Sequence, residues 1–350
     1  MVRTHNSPTY NSTVSPPSRR SYIWSCSSTF FPLERSWRFS RRAKGSEDKR
    51  GYDPTSTCSL HILYSTAPLR PCQHIEIYGP PGTRAYVRAG LIYTHTLLGA
   101  PYVVHELHTP SDSQDNFSDL PLHPAESPFG RNIPLVNGAW TDIYKNETVS
   151  VSAAPILHSV PCIGYVVNEA PVPCKLDPRD YIPHIKRTNA PMSILGLLQK
   201  SESVTLADGT VLRGPERRRG RKIVILGDTY DPSPITPLAD GADILIHEST
   251  NAHLPGIDPS TKESDTFESV ETRAKSRGHS TPQMAGAFAR RINAKKLVLN
   301  HFSARYSSAQ CDSAKEIMSS IAGLAAREYG GDVICAEDFM NIDILLEPVV

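Results

Sequence analysis

The chain holds 350 residues, of which 39% are hydrophobic and 21% charged, with 37 Lys and Arg against 36 Asp and Glu. This is the composition of a soluble, core-forming chain of one large or two ordinary domains, and its near-zero charge balance carries no message about a polyanionic partner. A mean hydropathy of −0.33 and the absence of any apolar run of about 18 residues exclude a membrane-spanning helix, while seven scattered cysteines without a Cys-x-x-Cys pair exclude a disulfide scaffold and a cysteine zinc knuckle and fit a reducing compartment.

Residues 1–65 are crowded with Ser, Thr, Pro and Arg, and the first 45 carry Arg3, Arg19, Arg20, Arg35, Arg38, Arg41, Arg42 and Lys44 against Glu34 alone. No periodicity supports a fold there, so the segment is expected to be disordered. Its Ser- and Arg-rich, acid-poor make-up is also that of a mitochondrial transit peptide, without the amphipathic spacing of one. From about residue 73 short apolar runs alternate with turn residues, and strands are expected at 75–78, 102–105, 149–158 and 164–167. Residues 171–222 break that rhythm with Pro171, Pro173, Pro178, Pro183 and Pro191 and with eleven basic residues against five acids, and they read as an inserted arm. Its densest positive patch, Arg217-Arg218-Arg219 with Arg221 and Lys222, is either a solvated loop or a surface for a phosphate backbone. Strands resume at 222–226, 243–247, 297–300, 332–335 and 341–346. Between them Thr281 and Pro282 read as the N-cap and first residue of a helix that buries Ala285, Phe288, Ala289 and Ile292. A second helix, from Ser313, buries Ala314, Ile317, Met318, Ile321 and Leu324. Strands interleaved with helices over 73–346 predict an α/β domain in which helices cover sheet.

Four of the strands end in polar groups: Asp228-Thr229 follows Ile225-Leu226-Gly227, His247-Glu248 follows Ile244-Leu245-Ile246, Asn300-His301 follows Leu297-Val298-Leu299, and His158 follows Ile156-Leu157. An acid or imidazole at the carboxyl end of a buried strand sits on a sheet rim, where active sites of α/β proteins gather. Taken singly, Asp228 is a turn former or helix cap and each histidine a satisfied structural residue. Taken together, and with Gly278-His279-Ser280 just ahead of a helix, they form a candidate cluster for a borderline metal such as zinc.

The strings LGDT (226–229), HEST (247–250), GHST (278–281) and HFSARY (301–306), in that order and spacing, resemble ribonuclease Z, the tRNA 3′-processing endonuclease family of the metallo-β-lactamase superfamily. IEIYGPPG (75–82), a helix through 93–98, VVHELH (103–108) and CKLDP (174–178) resemble it as well. The resemblance implies a metallo-β-lactamase αββα sandwich, two zinc ions, precursor tRNA as substrate, and a homodimer without a membrane partner. It makes His158 a ligand of the first zinc, Asp228 the carboxylate that bridges both, and His301 a ligand of the second. Glu248 and His279 become the catalytic pair that protonates the leaving ribose oxygen. The arm at 171–222 would grip the tRNA elbow by charge and shape, with Lys175, Arg217, Arg218 and Arg219 as RNA-binding residues. The family works in nucleus, cytoplasm and mitochondria; nucleus or cytoplasm is expected here, with the mitochondrion open.

The family also places a His-x-His-x-Asp-His motif shortly before the strand that matches 75–78. Upstream of Tyr78 this chain has His5, His61 and His74, none in that pattern. The motif would supply four of seven ligands, so His158, Asp228 and His301 alone would leave each metal two protein ligands, one of them shared. A tight zinc site has three or four. The chain is therefore expected to hold zinc weakly and to cleave RNA poorly or not at all, and the sandwich to lack its first strands. Two explanations stand: the family core is joined to an unrelated, aberrant first 65 residues, or a paralogue binds tRNA without cutting it. The surviving ligands and the Glu248–His279 pair favour the first.

Overall fold

A computed structural model describes residues 74–112, 120–306 and 312–345, together with the backbone of two N-terminal strands, β1 (Arg20–Trp24) and β2 (Phe30–Pro32). The rest of the segment expected to be disordered, 1–65, lies outside the described residues.

From Ile75 onward period-two alternation sends successive side chains of each strand to different layers. In β3 (Ile75–Gly79) and β4 (Tyr102–His108), Ile77, Tyr102 and Val104 pack on Val87 and Leu91 of α1 (Thr83–Tyr93), whereas Tyr78 and Leu107 face the opposite way. With β5 (Asn132–Pro134) these strands form a five-stranded sheet ordered β2-β1-β3-β4-β5, parallel except for the β1–β2 pair. The helix expected through 93–98 lies earlier in the chain. It opens after Pro80-Pro81-Gly82 and closes at Thr94, whose hydroxyl bonds Gly90 O at 2.7 Å, and His95 then turns left-handed with φ 52°.

The chain continues as an antiparallel meander of β6 (Trp140–Lys145), β7 (Val149–Ile156) and β8 (Cys162–Glu169). It then leaves the sheet for β9 (Val172–Pro173), α2 (Pro178–Arg187), α3 (Ile194–Gln199), β10 (Ser203–Thr205), β11 (Val211–Arg213) and β12 (Arg217–Arg218). Asp177 caps α2 by accepting from the Arg179 N–H at 3.0 Å, and Pro178 occupies the first helical position, where no N–H is missed. This excursion has its own apolar cluster of Leu176, Ile185, Ile194, Leu198, Leu206 and Leu212, and its root is closed by the β9–β12 pair.

Back in the sheet come β13 (Lys222–Leu226), α4 (Thr236–Ala239), β14 (Ile244–Glu248), α5 (Phe267–Ser276), α6 (Pro282–Arg291), β15 (Leu297–Asn300), α7 (Asp312–Tyr329) and β16 (Val333–Cys335). The seven strands run β16-β15-β14-β13-β8-β7-β6, with β13 to β16 mutually parallel. Ile223, Ile225, Tyr165 and Val167 point toward the first sheet and meet Tyr78 and Leu107. Val224, Leu226 and Val166 point outward under α6 and α7, against Ala285, Phe288, Ile317 and Ile321. The layers are therefore helix, sheet, sheet, helix, an αββα sandwich whose fully buried Leu and Ile side chains each contribute about 1.5–3 kcal/mol.

The strand expected at 341–346 does not form among the described residues 341–345. Ile342 and Ile344 do alternate into the inter-sheet core. Two carbonyls of this stretch, however, go to side chains: Lys296 Nζ bonds Asp343 O at 3.2 Å and Arg221 Nη1 bonds Ile344 O at 3.1 Å.

Candidate active site

The parallel strands β13, β14 and β15 end on one rim, and each releases a polar residue there: Asp228, Glu248 and His301. His158 arrives from the end of β7. Its loop is tied to the Asp228 loop by two backbone bonds, Leu157 N–H to Asp231 O at 3.0 Å and Tyr230 N–H to Leu157 O at 2.9 Å. His279 comes from the turn between α5 and α6. Gly278 permits that turn, with φ +90° and so close an approach to His158 that a Cβ would lie 2.5 Å from its Cδ2.

The almost fully buried Glu248 is the hub. Its Oε1 accepts the Thr229 N–H at 2.7 Å and faces His279 Nδ1 at 3.0 Å; its Oε2 accepts the Thr250 hydroxyl at 2.6 Å. Burial alone would raise this carboxyl, but the bonds from His279 and Thr250 outweigh it and hold the group ionised below its usual range. In return the hydrogen bond to Glu248 raises His279 above the ordinary imidazole value.

The remaining groups fit a cation. His158 Nε2 and Asp228 Oδ1 are buried without a hydrogen-bond partner. Burial pushes the Asp228 carboxyl up and the His158 imidazole down, the direction expected where charge lacks a counterpart. His301 Nδ1 lies 2.9 Å from Thr250 Oγ1, a hydroxyl that already gives its proton to Glu248. On its other side His301 Nε2 faces Asp228 Oδ2 at 3.4 Å, so an imidazole nitrogen and a carboxylate oxygen lie side by side. Ligand atoms of His158, Asp228 and His279, and of Glu248, His279 and His301, lie within 4.8 Å of one another in each group.

All five metal and catalytic residues expected from the sequence thus meet on one rim. The residues that sequence reasoning missed are Thr229, Thr250, Gly278 and Ser280, whose hydroxyl bonds Thr229 O at 2.5 Å. Their signal was present, since each lies inside one of the quoted strings, but only pairing between distant strands shows what they touch. His247 goes the other way: it is wholly buried beside Phe288, with ring centroids 5.9 Å apart, and its Nδ1 lies 2.7 Å from Glu248 O.

The basic residues stand elsewhere. Arg219 bonds Asp243 at 2.5 Å, a carboxylate it shares with Lys295, and Asp243 lies at the amino end of β14, about 17 Å from Glu248 by strand rise. Arg217 reaches Pro171 O and Lys200 O, Arg218 Nε lies 3.3 Å from Cys174 Sγ, and Lys175 is exposed at the root of the excursion. Among the described residues no helix is long and apolar enough to cross a membrane.

No protein-family model matches the chain. It is 33% identical to bovine (Bos taurus) "Zinc phosphodiesterase ELAC protein 1" over 294 residues, 78% of this chain and 75% of that protein. It is 32% identical to the human (Homo sapiens) protein of the same name, again over 78% of this chain and 75% of that protein. Against a "Ribonuclease Z" of Microcystis aeruginosa identity is 33% over 71% of this chain and 64% of the relative. Among solved structures, human tRNase Z, short form, matches with 29% identity and a TM-score of 0.44 over 78% of this chain and 69% of that one.

Proposed function

The chain belongs to the ribonuclease Z family of the metallo-β-lactamase superfamily, and on that premise we propose that it is a zinc-dependent endonuclease for the 3′ trailers of precursor tRNA. The observation that carries the reading is the Glu248–His279 pair set beside Asp228, His158 and His301 on one rim. Bound zinc would supply a hydroxide and polarise the scissile phosphate, with His158, Asp228 and His301 as its holders. Glu248 orients His279 and, by accepting its hydrogen bond, favours the protonated ring, the form that can hand a proton to the leaving ribose oxygen. Thr250 couples this pair to the ligand side by bonding both Glu248 and His301. Lys175 and Arg217, exposed at the arm's root, are the charges offered to the tRNA backbone; Arg218 and Arg219 complete that set, and a homodimer in which one subunit's arm serves the other belongs to the same proposal.

With the His-x-His-x-Asp-His motif absent before β3, the metal is held weakly and cutting is slow. The test is the purified chain with zinc or manganese and a 3′-extended precursor. Slow cleavage just after the discriminator base is expected, abolished by Asp228→Ala with tRNA binding preserved, and faster when a relative's motif-bearing segment is grafted ahead of β3. The missing motif favours a second reading, a tRNA-binding homologue without catalysis. Salt-dependent binding with no metal-dependent cleavage, even in the grafted chain, would decide for it.

A further inference from the structure

β16 stays in register for one residue beyond its end, where the Ala336 N–H donates to Leu299 O at 2.8 Å and Cys335 pairs with Leu299. β15 ends alongside at Asn300, with His301 directly after it, so residues 336–340 leave the sheet at the end that carries His301 and Asp228. They turn at once. The Met340 N–H donates to Glu337 O at 3.1 Å, which closes a four-residue turn, and past it Ile342 and Ile344 descend into the inter-sheet core.

The third residue of this turn is Phe339, with φ +63° and 81% exposure. The turn needs a positive φ there, and glycine supplies it freely; an L side chain adopts it only against steric strain. Nothing in the turn needs a phenyl ring, and the ring adds nothing to a core. Backbone strain and an exposed aromatic coincide in one residue at the edge of the site, the kind of outlier from which function is inferred. A flat apolar ring in solvent beside a nucleic-acid site stacks on an unpaired base, without sequence preference because every base has a π face. Glu337 and Asp338 flank it, both exposed; their charges repel phosphate and leave the ring to meet a base.

We propose that Phe339 is the stacking platform for one unpaired base of the RNA 3′ segment at the mouth of the site. The proposal rests on precursor RNA being the substrate. Its test uses the full chain and 3′-extended precursor tRNA with 2-aminopurine at either nucleotide flanking the scissile phosphate. The wild type is expected to quench one of the two positions. Phe339→Gly is expected to melt higher, because the strain is gone, yet to bind about tenfold or more weaker and lose the quenching; Phe339→Trp is expected to keep both. A ring that serves only the fold would lower the melting temperature on removal. Unchanged affinity and quenching in Phe339→Gly, with the wild type binding RNA, overturns this proposal alone. No RNA binding by the wild type overturns the functional reading and this one with it.

Discussion

At Gly278 the site is at its tightest. Any side chain there meets a positive φ of 90° and the His158 ring together, and a left-handed L residue costs about 1–2 kcal/mol before the clash is counted. Gly278→Ala is expected to lower the melting temperature by about 2–8 °C and to reduce zinc retained after dialysis, because His158 must move; melting curves and metal analysis of the same sample check both. A different residue contributes to acid sensitivity. His105 is driven down to about 4 from 6.5, first by burial and then by Arg131, whose backbone N–H and Nε both point at its Nδ1. The unfolded chain takes a proton at this ring below pH 6.5 and the folded chain does not until about 4. Stability from this group is full above 6.5 and falls as pH drops toward 4. Denaturant titrations of His105→Asn across that window are expected to show a shallower pH slope than the wild type.

The arm's helices depend on a small core of their own. Leu198 is fully buried in it, and Leu198→Ala is expected to cost about 2–5 kcal/mol. The loss should appear as faster hydrogen exchange in 176–213 with the sandwich strands unchanged. The sequence announced α6 and α7 through caps and apolar stripes: Thr281 accepts from the Met284 N–H at 3.4 Å and Pro282 opens α6 where expected. It did not announce α2, because Pro183 sits inside that helix and charges outnumber its one buried residue, Ile185. Strand faces at 341–345 were legible but pairing was not, since alternation reports burial and says nothing of which donor meets a carbonyl. The site was readable for a related reason. His158, Asp228, Glu248 and His301 each stand at the end of an apolar strand, whereas the contacts of Thr250 with His301 and of Gly278 with His158 join segments some fifty residues or more apart.

For the molecule as a whole the four absent ligands set the expectation. Fewer than two zinc ions per chain should survive equilibrium dialysis, and a tight two-zinc stoichiometry would overturn the half-centre described above. The sandwich itself is joined by more than apolar contact. Tyr165 reaches from β8 to Tyr78 O at 3.0 Å, and Trp140 from β6 to His108 O at 3.3 Å. Burial is indifferent to lateral offset; two directional bonds from one sheet to the backbone of the other are not. They act as dowels against shear, so the layers cannot slip by a strand repeat, and whatever side chains the first sheet presents at the shared rim arrive in fixed alignment with those of the second.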